Sequence, residues 1–291
     1  MGFVSMPDIQ MEAAGKQRMG HEQRWRPRCQ TVPMRAALGV FRVDEDRPVN
    51  LARMTDLCER AAGGNADLIV FCEAAVTGFA GRDDPRQDAA LGEPVPGPAT
   101  AALGSVARRL GLWVAFGLFE RADMALYDSA VLIDRTGDVR QVYRRIDPHW
   151  HRPDADAAVY RQGGGLAVTA ADFGTVTMLI CGDLFNEDVL GQCGAVRPEV
   201  VLVPIARGFD ADVADQGQWH SQEQAIYVRQ VQKTGAVGLL VNQLGGQGTT
   251  VGFGGALAVA ADGTLLAAWP LHTDGLLLVD VPPLAQPDGP G

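Results

Sequence analysis

The segment Asp67–Cys72 (DLIVFC) is a nearly continuous apolar run. Such a run suits a strand buried on both faces, so the chain must place other layers on either side of it. The neighbouring segments supply them. Arg35–Val43 has strand character, and Val49 to about Ala62 sets Leu51, Met54, Cys58 and Ala61 on one helical face. Gly63-Gly64-Asn65 stops that helix. Pro98 to Leu110 reads as a second helix, with proline near its start and Gly111 just past its end. Leu112–Phe119, Tyr127–Asp134 and Val139–Arg144 read as strands, the last two joined by the hairpin-type turn Arg135–Asp138. After a loop-like stretch over 146–165, strands are predicted at Leu166–Thr169, Thr175–Cys181, Val200–Pro204, Ala236–Val241, Ala256–Ala260, Leu265–Trp269 and Gly275–Val281, with helices over Glu187–Cys193 and Gln218–Lys233. Strands alternating with helices predict an α/β chain, the hairpins predict mixed sheets, and two helix layers covering two sheets fit the number of elements.

The 291 residues are 47% hydrophobic, enough for a large core, and no linker divides them. One domain is therefore expected over 34–282. Residues 1–33 are polar and rich in Arg and Gln, and are expected to be a disordered extension or an upstream start ahead of Met34. The Pro-rich end, 283–291, is expected to be loose. A net charge of -10 disfavours nucleic acid as a partner. The five cysteines are odd in number and none has CxxC spacing. That argues against a disulfide framework or structural zinc and for a reducing, cytoplasmic setting. No apolar run reaches the roughly 18 residues of a membrane span, and no signal-peptide core is visible.

Three residues able to do acid–base or nucleophilic chemistry fall where strands are predicted to end: Glu73 after DLIVFC, Glu120 after LWVAFGLF, and Cys181 after TVTMLI. Buried strands fix a backbone and leave its tip free for chemistry. A thiol needs a group to take its proton, and a carboxylate in an apolar pocket can do that near neutrality. Position alone does not separate this from a core cysteine and solvated glutamates.

The blocks around these residues resemble those of the nitrilase, or carbon–nitrogen hydrolase, superfamily. MRAALGVFRV is similar to its first strand, DLIVFCEAAVTGF to the block of its general-base glutamate (Glu73), and GLFERADMALYDSAVLIDRTGDV to the block of a second glutamate (Glu120). VYRRID stands where the family carries its lysine, and LICGDLFNED resembles the nucleophile block, with the cysteine at Cys181. VLVPIARG, the Trp219 helix and LLVNQLGG…GFGGALAVAADGTLLA resemble the closing half. The resemblance runs from Met34 to about Val281. It implies a four-layer αββα sandwich, a Glu–Lys–Cys triad without metal or organic cofactor, and protomers that pair into dimers or larger homo-oligomers. The implied substrate is a small amide or, second, a nitrile.

The lysine position holds Arg145. Arginine keeps the charge but releases no proton at working pH, and its planar fork is wider than an ammonium. Further departures surround the same block: Cys72 before the glutamate, Asp147-Pro148 after Arg145, Gly182 after the cysteine and Asn186 before Glu187. Two functions follow. In one, Cys181 attacks an amide carbonyl, Glu73 is the base, Arg145 and a backbone N–H hold the oxyanion, and Glu120 orients the cation. In the other, the chain is a catalytically impaired binding or regulatory protein. Lys233, one of very few lysines, reads as a surface residue. His149 and His151 lack a third ligand at metal-site spacing, and Gly163–Gly165 and Gly245-Gly246 read as flexible turns. Trp219 and His220 are expected to pack more than to bind, while Arg207 fits the pocket and an exposed loop equally.

Overall fold

The structure is a computed structural model that describes residues 33–79, 83–210, 217, 219–245 and 250–282. The expectations for the N-terminal extension, residue 33 apart, and for the 283–291 tail lie outside the described residues.

Fourteen strands are described: β1 Met34–Val40, β2 Leu68–Val70, β3 Trp113–Ala122, β4 Ala125–Ile133, β5 Val139–Arg144, β6 Thr169–Ala171, β7 Gly174–Met178, β8 Val200–Ile205, β9 Gly208–Asp210, β10 Val237–Asn242, β11 Leu244–Gly245, β12 Thr250–Val259, β13 Leu265–Leu271 and β14 Gly275–Val281. The helices are α1 Arg47–Gly63, α2 Pro85–Asp88, α3 Pro98–Leu110, α4 Glu187–Val196 and α5 Gln224–Thr234. One sheet has the order β14-β1-β2-β3-β4-β5. The other has β11-β12-β10-β8-β7-β6, with β13 and β9 also on β12. Both are mixed. β1, β2 and β3 run parallel while β3–β4–β5 form antiparallel hairpins. β7, β8 and β10 run parallel while β12 is antiparallel to β10.

The sheets face each other through β1 against β10 and β12 and through β3 against β8. α1 and α3 pack on the outside of the first sheet, and α5, with α4 against it, on the outside of the second. The fold is thus the αββα sandwich. Each central strand has an apolar layer on both faces, which is why LIV of β2 and VVLVPI of β8 are buried at every position. No helix among the described residues is long and apolar enough to cross a membrane.

α3 and β5 match the predicted bounds, and Gly111 caps α3 with φ +64. Four differences matter. β2 stops at Val70, so Glu73 sits three residues beyond it in a turn. β7 stops at Met178, and Cys181 opens a 3₁₀ turn, Cys181–Phe185, with φ +46, a value that ends any extended run. Glu120 lies inside β3, because the two-residue turn Asp123-Met124 (Asp123 φ +55) lets β3 and β4 pair farther than their apolar runs suggest. The helix predicted over Gln218–Lys233 is a π-type turn, Trp219–Glu223, followed by α5.

Candidate active site

The parallel strands of both sheets deliver their carboxyl ends to one edge, where α/β sheets usually hold ligands. Glu73 follows β2, Cys181 follows β7 and Arg207 follows β8. Arg145 is the residue after β5. Glu73 and Arg145, far apart in sequence, meet in a buried cluster, with Cys181 and Arg207, both partly exposed, close by.

Arg145 is its centre. The side chain is 4% exposed, and Nη1 lies 2.9 Å from Glu73 Oε1 and 3.4 Å from Asp128 Oδ2. Nη2 lies 3.3 Å from Asp147 Oδ1. Burial works against the charged guanidinium, but Glu73 and Asp128, then Cys181 and Asp183, outweigh it and the net shift is upward. The cation is therefore fixed. Burial raises the Cys181 thiol above its usual range, and the Glu73 charge raises it further. Arg145 and the backbone N–H of Ala206, which hydrogen-bonds the sulfur, work in the opposite direction without reversing the shift. At rest the sulfur keeps its proton, and a base must act before it can attack.

Two backbone features aim these groups. Cys181 (φ +46) and Ala74 (φ +47), the residue after Glu73, are both non-glycine residues in the left-handed region. Each such residue costs roughly 1–3 kcal/mol and persists only where the surroundings enforce it. At Cys181 the enforcing group is Asp183. Its carboxylate accepts from Ile180 N at 3.0 Å, Ile146 N at 3.1 Å, Asp147 N at 2.7 Å and Tyr143 Oη at 2.7 Å. One side chain thereby ties the residue before Cys181 to the residues after Arg145.

Glu73 is fixed by close packing. A Cβ at Gly117 on β3 would stand 2.6 Å from Glu73 Cα and from Ala74 N, both backbone atoms. Gly117→Ala is therefore expected to push the Glu73 turn aside and to lower stability by about 1–3 kcal/mol, read as the midpoint of urea unfolding. An unchanged midpoint would show that this turn has room to give.

Glu120 is placed differently. Its carboxylate takes a two-pronged contact from Arg144 (Nε to Oε2, 2.8 Å; Nη2 to Oε1, 2.6 Å) and a hydrogen bond from Ser129 Oγ at 2.8 Å. Its salt bridge is with Arg144, where the sequence reading gave it Arg145 to orient. Glu120 and Arg144 line a cavity of about 400 Å³ with Gln141, Val142 and Gly163, and neither Cys181 nor Glu73 is among its lining residues.

Asp128 and Asp183 are members of this cluster that sequence reasoning did not single out, and Asp147 was noted there only as a departure from the family pattern. Asp147 and Asp183 lie two residues from Arg145 and Cys181, and that proximity was a usable signal. Asp128 had none, because its approach to Glu73 is purely tertiary. Arg207 lies near the site, where Cys181 is among the groups that favour its charge, and it contacts Tyr227 Oη at 3.2 Å and Glu223 at 3.0 Å. Trp219 packs 5.5 Å from the rings of both Tyr227 and Phe253. Lys233 pairs with Glu187 on the surface. His149 is largely exposed, with Nδ1 2.9 Å from Asp147, and His151 contacts the Arg152 carbonyl and Gln162.

The family model "Carbon-nitrogen hydrolase" matches residues 30–287. Among characterised proteins the chain is 27% identical over 219 residues to a glutamine-dependent NAD(+) synthetase of Xanthomonas campestris, covering 74% of this chain and 37% of that protein. It is 28% identical over 212 residues to Nitrilase 3 of an unknown prokaryotic organism, covering 64% of this chain and 59% of that protein. The chain thus spans less than two thirds of the length of either relative. Its fold is similar to that of an amidase mutant from Nesterenkonia sp. AN1, solved with acrylamide added at the active-site cysteine. The TM-score is 0.70 at 23% identity, with 86% of this chain and 93% of that one covered.

Proposed function

Because this chain belongs to the carbon–nitrogen hydrolase family, we propose that it hydrolyses a small amide through a thioester on Cys181. The observation that carries this reading is the convergence of Glu73, Arg145 and the Cys181 turn in one buried cluster, with Glu73 Oε2 buried and without a hydrogen-bond donor among the described residues. The carboxylate thus has lone pairs left to accept a proton. Glu73 takes the proton of Sγ–H as sulfur bonds to the carbonyl carbon and the π electrons move to oxygen. Arg145, whose buried Nε–H has no acceptor among the described residues, and a backbone N–H beside Cys181 hold the oxyanion. The oxyanion collapses, the C–N bond breaks, and Glu73 returns the proton to the departing ammonia or amine. Water then attacks the thioester, Glu73 again takes and returns one proton, and acid and thiol are released.

Arg145 instead of lysine also fits the impaired-protein reading, and one packing fact weighs against it. A Cβ at Gly182 would stand 2.5 Å from Arg145 Nη2 and 2.6 Å from Asp147 Oδ1. Arg145, Asp147 and Gly182, three departures from the family pattern, therefore form one unit: the wider cation, its added carboxylate and the space cleared for both. Coordinated change of this kind supports a working site rebuilt around arginine. The test is ammonia release from a panel of small aliphatic and aromatic amides, with nitriles in parallel, and intact-mass detection of the acyl-enzyme. Release with a transient acyl adduct supports the amide reading. Acid formed from nitriles alone would move the substrate class, and binding without any turnover would favour the regulatory reading.

A further inference from the structure

We propose that Asp128 and Glu73 share one proton, Asp128 carrying it and Glu73 carrying the charge, so that Asp128 is a positioning residue for the base; its catalytic meaning rests on the hydrolase reading above. The geometry is unusual. Both side chains are essentially inaccessible, at 0% and 1% exposure, and both send one oxygen to the same Arg145 Nη1. Each keeps a second buried oxygen, Asp128 Oδ1 and Glu73 Oε2, without a donor among the described residues. With oxygens 2.9 and 3.4 Å from one and the same nitrogen, the two carboxyl groups are immediate neighbours. Two buried carboxylates at that separation repel strongly, and a single proton between them removes the repulsion and supplies the missing donor.

The groups facing Asp128 come from three elements: Glu73 from the turn after β2, Arg145 from the end of β5 and Cys181 from the turn after β7. Arg145 also meets Asp147, and with one cation among these acids the cluster cannot hold them all ionised cheaply. Burial first and Glu73 second push Asp128 well above the ordinary carboxylate range, with Arg145 opposing both. In the reaction the Cys181 proton moves to Glu73, and the pair then holds two protons. It gives one to the leaving amine and returns to its starting state. Asp128's own proton stays in place and keeps Glu73 oriented and ionised at rest.

The experiment is infrared difference spectroscopy of the carbonyl stretch of undissociated carboxyl groups at neutral pH, on the full chain. Wild type minus Asp128→Asn should contain one such band, because contributions from other buried acids cancel. Glu73→Gln provides an independent arm: with its negative neighbour gone, Asp128 should ionise at lower pH than in wild type. A wild-type protein without the band, or a band that titrates identically in Glu73→Gln, overturns the dyad even if amides are hydrolysed. A band that behaves as described in a protein that hydrolyses nothing sustains the dyad and removes the hydrolase reading. If Asp128→Asn does not fold, the wild type and Glu73→Gln comparison decides. For an active enzyme, kcat/KM of wild type should fall on the alkaline side as the shared proton is lost, and that limb should be missing in Asp128→Asn.

Discussion

Cys181→Ala is expected to lower amide turnover by a factor on the order of 10⁴ or more and to abolish the acyl adduct, with little change in thermal midpoint. Removing the nucleophile of a covalent mechanism removes the whole pathway, and what survives is the contribution of binding and the oxyanion donors alone. The fold should tolerate the change, since alanine keeps Cβ and the φ of +46 is imposed by Asp183 and its four donors. Reactivity of the thiol can be read separately. Cys58 is fully buried, whereas Cys181 is partly exposed and has Glu73 nearby to take its proton, so iodoacetamide near neutrality should label Cys181 much faster than Cys58. Turnover that persisted in Cys181→Ala would mean that the chemistry lies elsewhere. Equal labelling of the two cysteines would mean that Glu73 does not activate Cys181.

Arg145→Met should cost about 3–5 kcal/mol of stability at neutral pH, because it strips the only cation that, among the described residues, pairs with both Glu73 and Asp128 and leaves buried acids uncompensated. The loss should depend on pH, and the direction is fixed. Asp128 already titrates above its unfolded value, through burial and Glu73 against the pull of Arg145. Without Arg145 it rises further. A group raised on folding contributes stability below its unfolded value and loses it as pH climbs through the folded one. The deficit of Arg145→Met should thus be smallest in acid and widen toward neutral and alkaline pH, measured by urea unfolding against wild type across that range. A deficit that widened in acid would mean that the cation is not what holds these carboxylates. Arg145→Lys keeps one charge but cannot bridge Nη1 and Nη2 partners on two sides. It should be intermediate in stability, and if it greatly raises turnover the natural site is an impaired one.

The layered class was legible in the sequence because burial on both faces leaves a local trace. A strand covered on both sides must be apolar throughout, as in Asp67–Cys72, and a helix covered on one side must show three-to-four spacing, as Leu51, Met54, Cys58 and Ala61 do. Strand ends were less legible. Residues after β2 and β7 remain apolar and buried while the backbone leaves the ladder, so hydropathy placed the ends of both strands too late. Resemblance pointed to Glu73, Glu120, Arg145 and Cys181, but neighbours along the chain carry no record of which charge meets which.

What the sequence by itself determined is the layered class and the residue types at Glu73, Arg145 and Cys181, since composition and period are local properties. The tertiary structure alone decided how the charges pair. It sent Glu120 to Arg144, gave Arg145 to Glu73, Asp128 and Asp147, and used the bare backbone of Gly182 to make room for them. Coulomb energy in a buried site depends on separations of a few ångströms between residues distant in sequence, and those separations exist only once both sheets have closed on each other.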